Sequence, residues 1–153
     1  MSMSNLSLKV VTSKNRRAAE KLEVFPHQTG FIESVADCMK EADQLAAWHP
    51  MCIYDNDTMI GFTMYRMIRE PAYTRPWFDR LLIDKQHQGK GYAKPAVQLI
   101  LQEIRTHYPN TDIYLSVYAE NHSAIALYRS FGFEFTGELD TKGEEIMIYR
   151  SAI

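Results

Sequence analysis

Residues 81–96, LLIDKQHQGKGYAKPA, set a short apolar run with a β-branched end, a polar stretch carrying Gly89 and Gly91, and an amphipathic segment in immediate succession. The pattern predicts a strand, a tight loop and a helix. In the first turn of a helix the N–H groups have no intrahelical partner and the dipole adds positive potential, while glycines let a ligand oxygen approach the chain closely. Such a loop can hold a pyrophosphate. Pro95 lacks an N–H and is tolerated only in the first turn, which places the helix start at about Gly91 to Ala93. Lys94, just before a proline, is pushed away from the α region, so an irregular first turn is expected.

A bare Gly-x-Gly also suits a simple turn, and two nucleotide readings fail on the residues present. Lys94 stands where a dinucleotide fingerprint needs its third glycine, and no Gly-x-x-x-x-Gly-Lys-Ser/Thr occurs anywhere. What the string does match is Gln86-x-x-Gly89-x-Gly91, which resembles the (Gln/Arg)-x-x-Gly-x-(Gly/Ala) motif of the GNAT family of N-acetyltransferases, where backbone N–H groups take the pyrophosphate of acetyl-CoA. A second stretch, Asn121-x-x-Ala124-x-x-Leu127-Tyr128-x-x-x-Gly132-Phe133, is similar to a segment of the same family further along the chain.

The elements that would position these residues follow from periodicity. Residues 6–11 alternate as a strand, Thr12 or Ser13 can cap a helix over 16–24, and helical spacing recurs over 31–39 with a further turn or two over 41–48. Residues 51–54 and 59–65, separated by Asp55-Asn56-Asp57, form a hairpin pattern. Residues 66–76 carry two prolines and four charges without period and read as a loop, and 77–83 are the fourth strand. Ala93, Val97, Ile100, Leu101, Ile104 and Tyr108 share one helical face. A strand over 113–118, a helix from Asn121 stopped by Gly132, and strands over 133–137 and 145–149 around Lys142-Gly143 complete the chain. Hairpins at both ends with helical crossovers between them imply an α/β fold around a mixed sheet. The GNAT resemblance covers essentially the whole order. It implies a mostly antiparallel sheet of about seven strands flanked by about four helices.

At 153 residues, 46% hydrophobic and 24% charged, the chain suits one domain over 1–153 with a substantial core. A net charge of −2 with dispersed Lys and Arg gives no footprint for nucleic acid and suits a small cationic substrate better. There is no secretory leader pattern and no membrane-spanning stretch, so a cytoplasmic location is expected. Cys38 and Cys52 read as buried thiols, and no His or Cys spacing indicates a metal.

Within the family the chain most resembles the bacterial spermine/spermidine (diamine) N-acetyltransferases, through Phe31-Ile32-Glu33-Ser34, Asp79-Arg80, Tyr114-Leu115-Ser116 and Gly137-Glu138-Leu139-Asp140. The resemblance implies direct transfer in a ternary complex with acetyl-CoA as cosubstrate. Leu81, Leu82 and Ile83 would pair with the pantetheine, and Gln88, Gly89, Lys90, Gly91, Tyr92, Ala93 and Lys94 would hold the pyrophosphate. Asn121 would contact the pantetheine arm, although its position equally suits a helix cap. Tyr128 would protonate the leaving thiolate, since a phenol of pKa near 10 can serve a thiol near 8.5; its spacing also fits a packed core tyrosine. Asp79 would take the proton of an amine that arrives charged, or it could simply pair with Arg80. For a polycation, Glu33 is the first choice of second carboxylate, with Asp37 one turn on, and Phe31, Trp77 and Tyr54 are candidates to line the alkyl path. A homodimer is possible through the last strands. The rival readings are an acetyltransferase for another small amine or a protein N-terminus, and a non-catalytic acyl-CoA sensor, which would need no proton-transfer groups.

Overall fold

The computed structural model describes residues 5–69 and 74–151. Seven strands form one sheet in the order β1-β2-β3-β4-β5-β7-β6. They are β1 Leu6–Val10, β2 His49–Asp55, β3 Thr58–Arg69, β4 Thr74–Ile83, β5 Ile113–Val117, β6 Glu134–Leu139 and β7 Glu145–Tyr149. Every neighbouring pair is antiparallel except β4 and β5. The helices are α1 Arg16–Glu20, α2 Val35–Gln44, α3 Ala93–His107 and α4 His122–Ser130.

Alternation along the strands makes two apolar layers. Met51, Ile53, Tyr65, Phe78 and Ile83 face Ala96, Val97, Ile100, Leu101 and Ile104 of α3, the face that the spacing predicts. Cys52, Phe62, Met64 and Leu82 point the other way, onto Ala19 of α1, Val35, Cys38 and Met39 of α2, and Trp48. The β2–β3 hairpin closes on Asn56, whose φ of 53° is one that asparagine tolerates.

The expected loop over 66–76 is a correction. Arg66, Met67, Ile68 and Arg69 pair with Trp77, Pro76, Arg75 and Thr74, so both strands run on, and residues 70–73 lie outside the described residues. Charge masked the strand pattern because the arginines lie on aromatic faces: Arg66 is 4.6 Å from the Trp48 ring and Arg75 is 4.5 Å from the Tyr114 ring.

The early helices are also shorter than periodicity suggests. α1 ends at Glu20 because the chain beyond it is pulled straight: the Glu23 N–H donates to Asp84 at 2.9 Å and the Glu23 carbonyl accepts from Lys85 N–H at 2.7 Å. Phe31, Ile32 and Glu33 precede α2 rather than joining it, because the Ser34 hydroxyl accepts from Asp37 N–H at 3.2 Å and fixes the helix start there. The turns expected over 41–48 stop at Gln44, after which Leu45 is extended and β2 begins at His49.

One irregularity interrupts the β3–β4 ladder. Opposite Met64 of β3, between the pairs Thr63–Leu81 and Tyr65–Phe78, β4 carries two residues, Asp79 and Arg80. This is a β-bulge, held by the Thr63 hydroxyl donating to the Arg80 carbonyl at 2.6 Å. At Gly61, β3 and β4 approach so closely that a Cβ would collide with the Leu82 carbonyl and press on the Ile83 and Ile53 side chains at 3.2 and 3.3 Å. Gly61→Ala is therefore expected to cost about 1–3 kcal/mol of stability, as overpacking does. Gly30→Ala, where nothing lies within 4 Å, is the control that leaves the denaturation midpoint nearly unchanged.

Candidate active site

β4 and β5 share one register pair, Trp77 with Tyr114, and then part. The residues of β4 from Phe78 to Ile83 and those of β5 from Leu115 to Val117 line the opening, a cleft of about 940 Å³. Backbone groups of β4 on that side face the cleft instead of a strand. Polar backbone inside a fold needs a partner, and an extended chain laid along β4 would supply one.

At the end of β4 the glycine loop is built by side chains from far away in sequence. Buried Asp84 accepts from Glu23 N–H and from Gln86 N–H at 3.2 Å. The Gln88 amide donates to the Ile83 carbonyl at 3.0 Å and exchanges hydrogen bonds with Gln28 at 2.9 and 3.0 Å. Gly89 and Gly91 both take positive φ, 79° and 85°, a conformation that other residues rarely adopt. α3 starts at Ala93, and its N-cap residue Tyr92 is helical and makes no side-chain cap, which leaves the first-turn N–H groups open to an anion. The Tyr92 hydroxyl instead donates to Asp55 at 2.5 Å and ties α3 to β2. Gln88, Gly89, Gly91, Tyr92 and Ala93 line the cleft, whereas Lys90 and Lys94 are exposed and stand outside its lining. The loop thus fits a diphosphate by backbone donors, with the opening between β4 and β5 leading away from it.

Asp79 and Tyr128 both line this opening. Tyr128 rises from α4 and packs edge-on against Phe78 and Phe133, with ring centroids 5.7 and 5.8 Å away. Burial, and then the charge of Asp79, push its phenol well above the usual range, so it stays protonated at neutral pH. Asp79 sits in the bulge. Its side chain is 34% exposed and lines the cleft, and desolvation raises its pKa while Arg80, 3.5 Å away, pulls it down and Glu33 and Glu41 push it up.

Arg80 organises the acidic side. Its side chain is only 8% exposed, and it donates to Glu33 at 2.8 Å and to Glu41 at 2.7 Å. Glu33 also accepts from Lys142 at 3.3 Å. Burial alone would raise Glu33, but these cations overcome it and hold the carboxyl at about 2. Glu144 is the reverse case: burial first, then Asp140, Glu33 and Asp79, push it up to about 7. Sequence reasoning missed Glu144, Asp84 and Gln28. The acidic run around Lys142-Gly143 was a visible signal for the first of these, whereas the other two act through partners about 60 residues away.

The remaining candidates divide. Phe31 and Trp77 line the cleft; Tyr54 does not, and has the Lys9 ammonium 4.6 Å from its ring. Asp37 is exposed and lies outside the cleft lining. Asn121 lines the cleft and also caps α4, accepting from Ala124 N–H at 3.3 Å. Burial pushes the Cys38 and Cys52 thiols up to about 12 and 11, which makes neither a thiolate nucleophile at neutral pH. Among the described residues no cluster of three or more potential metal ligands occurs, and no helix is long and apolar enough to cross a membrane.

The chain was compared with known proteins. Residues 14–133 match the model of the acetyltransferase (GNAT) family. The spermine/spermidine N(1)-acetyltransferase of Bacillus subtilis strain 168 is 37% identical over 150 residues, spanning 94% of this chain and 97% of its own length. The fold resembles that of the spermidine N-acetyltransferase from Vibrio cholerae, solved with CoA and spermine, at TM-score 0.71 and 21% identity, covering 95% of this chain and 94% of that one. It also resembles the ribosomal-protein-S18-alanine N-acetyltransferase from Escherichia coli at TM-score 0.68 and 18% identity, covering 97% and 96% of the two chains. With a family match over most of its length and a relative this similar from end to end, the chain belongs to the GNAT family of acetyltransferases.

Proposed function

We propose that this protein transfers an acetyl group from acetyl-CoA to a primary amine of a polyamine such as spermine or spermidine, directly within a ternary complex. The observation that carries the reading is one cleft lined by both a carboxylate and a protonated phenol beside an excess of acid. Asp79, Glu33, Glu41, Glu138, Asp140 and Glu144 line it against Arg66, Arg75, Arg80 and Lys142. Glu144 is pushed up by burial first and then by Asp140, Glu33 and Asp79, and that acidic surround favours a cation. The similarity to spermine/spermidine acetyltransferases supports the same acceptor.

Bound acetyl-CoA supplies an activated thioester. The N–H groups of Gly89 to Lys94 hold its diphosphate, β4 pairs with the pantetheine through Leu81 to Ile83, and Asn121 contacts the same arm. An N–H of β4 facing the cleft stabilises negative charge that develops on the thioester oxygen. Asp79, directly or through water, takes the proton from the acceptor ammonium, whose pKa is about 10.4 by analogy with lysine. The Tyr128 hydroxyl gives a proton to the departing sulfur, and the second proton that the acetylated nitrogen loses restores the phenol. Neither buried cysteine is placed to carry the acetyl group, so the amine receives it directly.

Three outcomes are expected. Tyr128→Phe lowers kcat roughly 100-fold or more, the lower end of general-acid contributions, while acetyl-CoA binding measured by calorimetry persists. In the parent enzyme kcat/KM rises with pH through the raised pKa of Asp79 and then levels. Asp79→Asn loses the base and depends on free amine, so its activity keeps climbing toward about pH 10, read from a pH profile of CoA release. Glu144 rises from 4.5 to about 7 on folding, so the folded state binds more protons between those values and stability declines as pH rises through that window. Glu144→Gln therefore raises the thermal midpoint at pH 8 and changes it little at pH 4.

A further inference from the structure

The Glu33 carboxylate that would meet a cationic substrate already has two partners, and they are of different kinds. Its Oε2 takes the Nε of Arg80, a buried guanidinium that also holds Glu41 and therefore belongs to the framework. Its Oε1 takes the Nζ of Lys142 at 3.3 Å, from a side chain that is 58% exposed. That group is a primary alkylammonium, the same chemistry as the end of a polyamine. It arrives from a turn that is held firmly. Asp140 Oδ1 accepts from the N–H groups of Lys142 and Glu144 at 2.9 and 2.8 Å, the Asp140 N–H donates to the Glu144 carbonyl at 2.9 Å, and Gly143 closes the turn at φ 82°. The turn aims the lysine across the cleft mouth at a residue 109 positions earlier in the chain.

We propose that Lys142 is a built-in competitor for the acceptor: its ammonium occupies the open oxygen of Glu33, and the non-reacting ammonium of a polycationic substrate must displace it to bind. The inference rests on the acceptor being a polycation. Displacement does not strand the lysine in an apolar place, because its stem is in solvent and Glu144 lies two residues on. Glu33 does most to favour the charged form of Lys142, and Glu144 adds to it in the same direction. Lys142 thus acts on substrate affinity and holds no reacting atom.

Exposed ion pairs are worth about 0.2–1 kcal/mol, so removing the competitor should tighten polyamine binding roughly 1.5- to 5-fold. The test is steady-state kinetics on Lys142→Met, which keeps the stem and removes the charge, with Lys142→Arg as the charge-retaining comparison. The expected result is a spermidine KM lowered by that factor in Lys142→Met, with KM for acetyl-CoA unchanged and Lys142→Arg close to the parent. A spermidine KM that is unchanged or higher in Lys142→Met overturns the proposal. If the parent enzyme turns over no polyamine, the functional reading fails separately, and spermidine binding by calorimetry then decides the inference. A lower Kd in Lys142→Met supports it, whereas equal Kd values, or no binding to either protein, overturn it.

Discussion

The parting of β4 from β5 after a single pair is the constraint on which the site depends. A parallel pair that continued would satisfy the backbone of β4 and leave no cleft. Instead the two strands are held together at Trp77 and Tyr114, with Arg75 lying over the Tyr114 ring, and their far ends are spread. α3 packs beneath β4 and carries the glycine loop at its start, and α4 brings Tyr128 to the other wall. The bulge at Asp79 and Arg80 acts on the same strand. One extra residue breaks strict alternation, so a carboxylate and a guanidinium appear at a strand position that would otherwise place one of them on each face.

Arg80 is the electrostatic counterpart of that geometry. A buried guanidinium with Asp79, Glu33 and Glu41 around it compensates three carboxylates that would otherwise repel one another at the edge of a cleft. Glu33 stays ionised because of it, while burial and then the neighbouring carboxylates push Glu144 up to about 7. The cleft is therefore neither uniformly negative nor self-neutralised. It keeps acidic capacity beyond its own cations, a property suited to a substrate that carries several positive charges along a flexible chain.

How much of this could be read from the chain varies with the range of the interactions. The strand, glycine loop and start of α3 were readable, because Ile83, Gly89, Gly91 and Pro95 act within a few residues of one another. The face of α3 and the stop at Gly132 were readable for the same reason. The extension of β3 and β4 through residues 66–69 and 74–76 was not, because arginines stacked on Trp48 and Tyr114 supply cross-strand contacts without an apolar period. The early end of α1 depends on Asp84, and the Glu33–Lys142 contact joins opposite ends of the sequence. Neither leaves a local signal. Asp79 and Tyr128 came from the likeness of their motifs to a family, and the structure supplies what the motifs lacked, a shared cleft.

The most direct measurement of the central claim is CoA release from acetyl-CoA, followed by thiol detection, with spermine, spermidine, short diamines, lysine and an N-terminal peptide supplied in parallel. The account predicts saturable release with the polyamines and little with lysine or the peptide. Saturable release with the peptide but not with polyamines, or acetyl-CoA binding with no release for any amine, would contradict it.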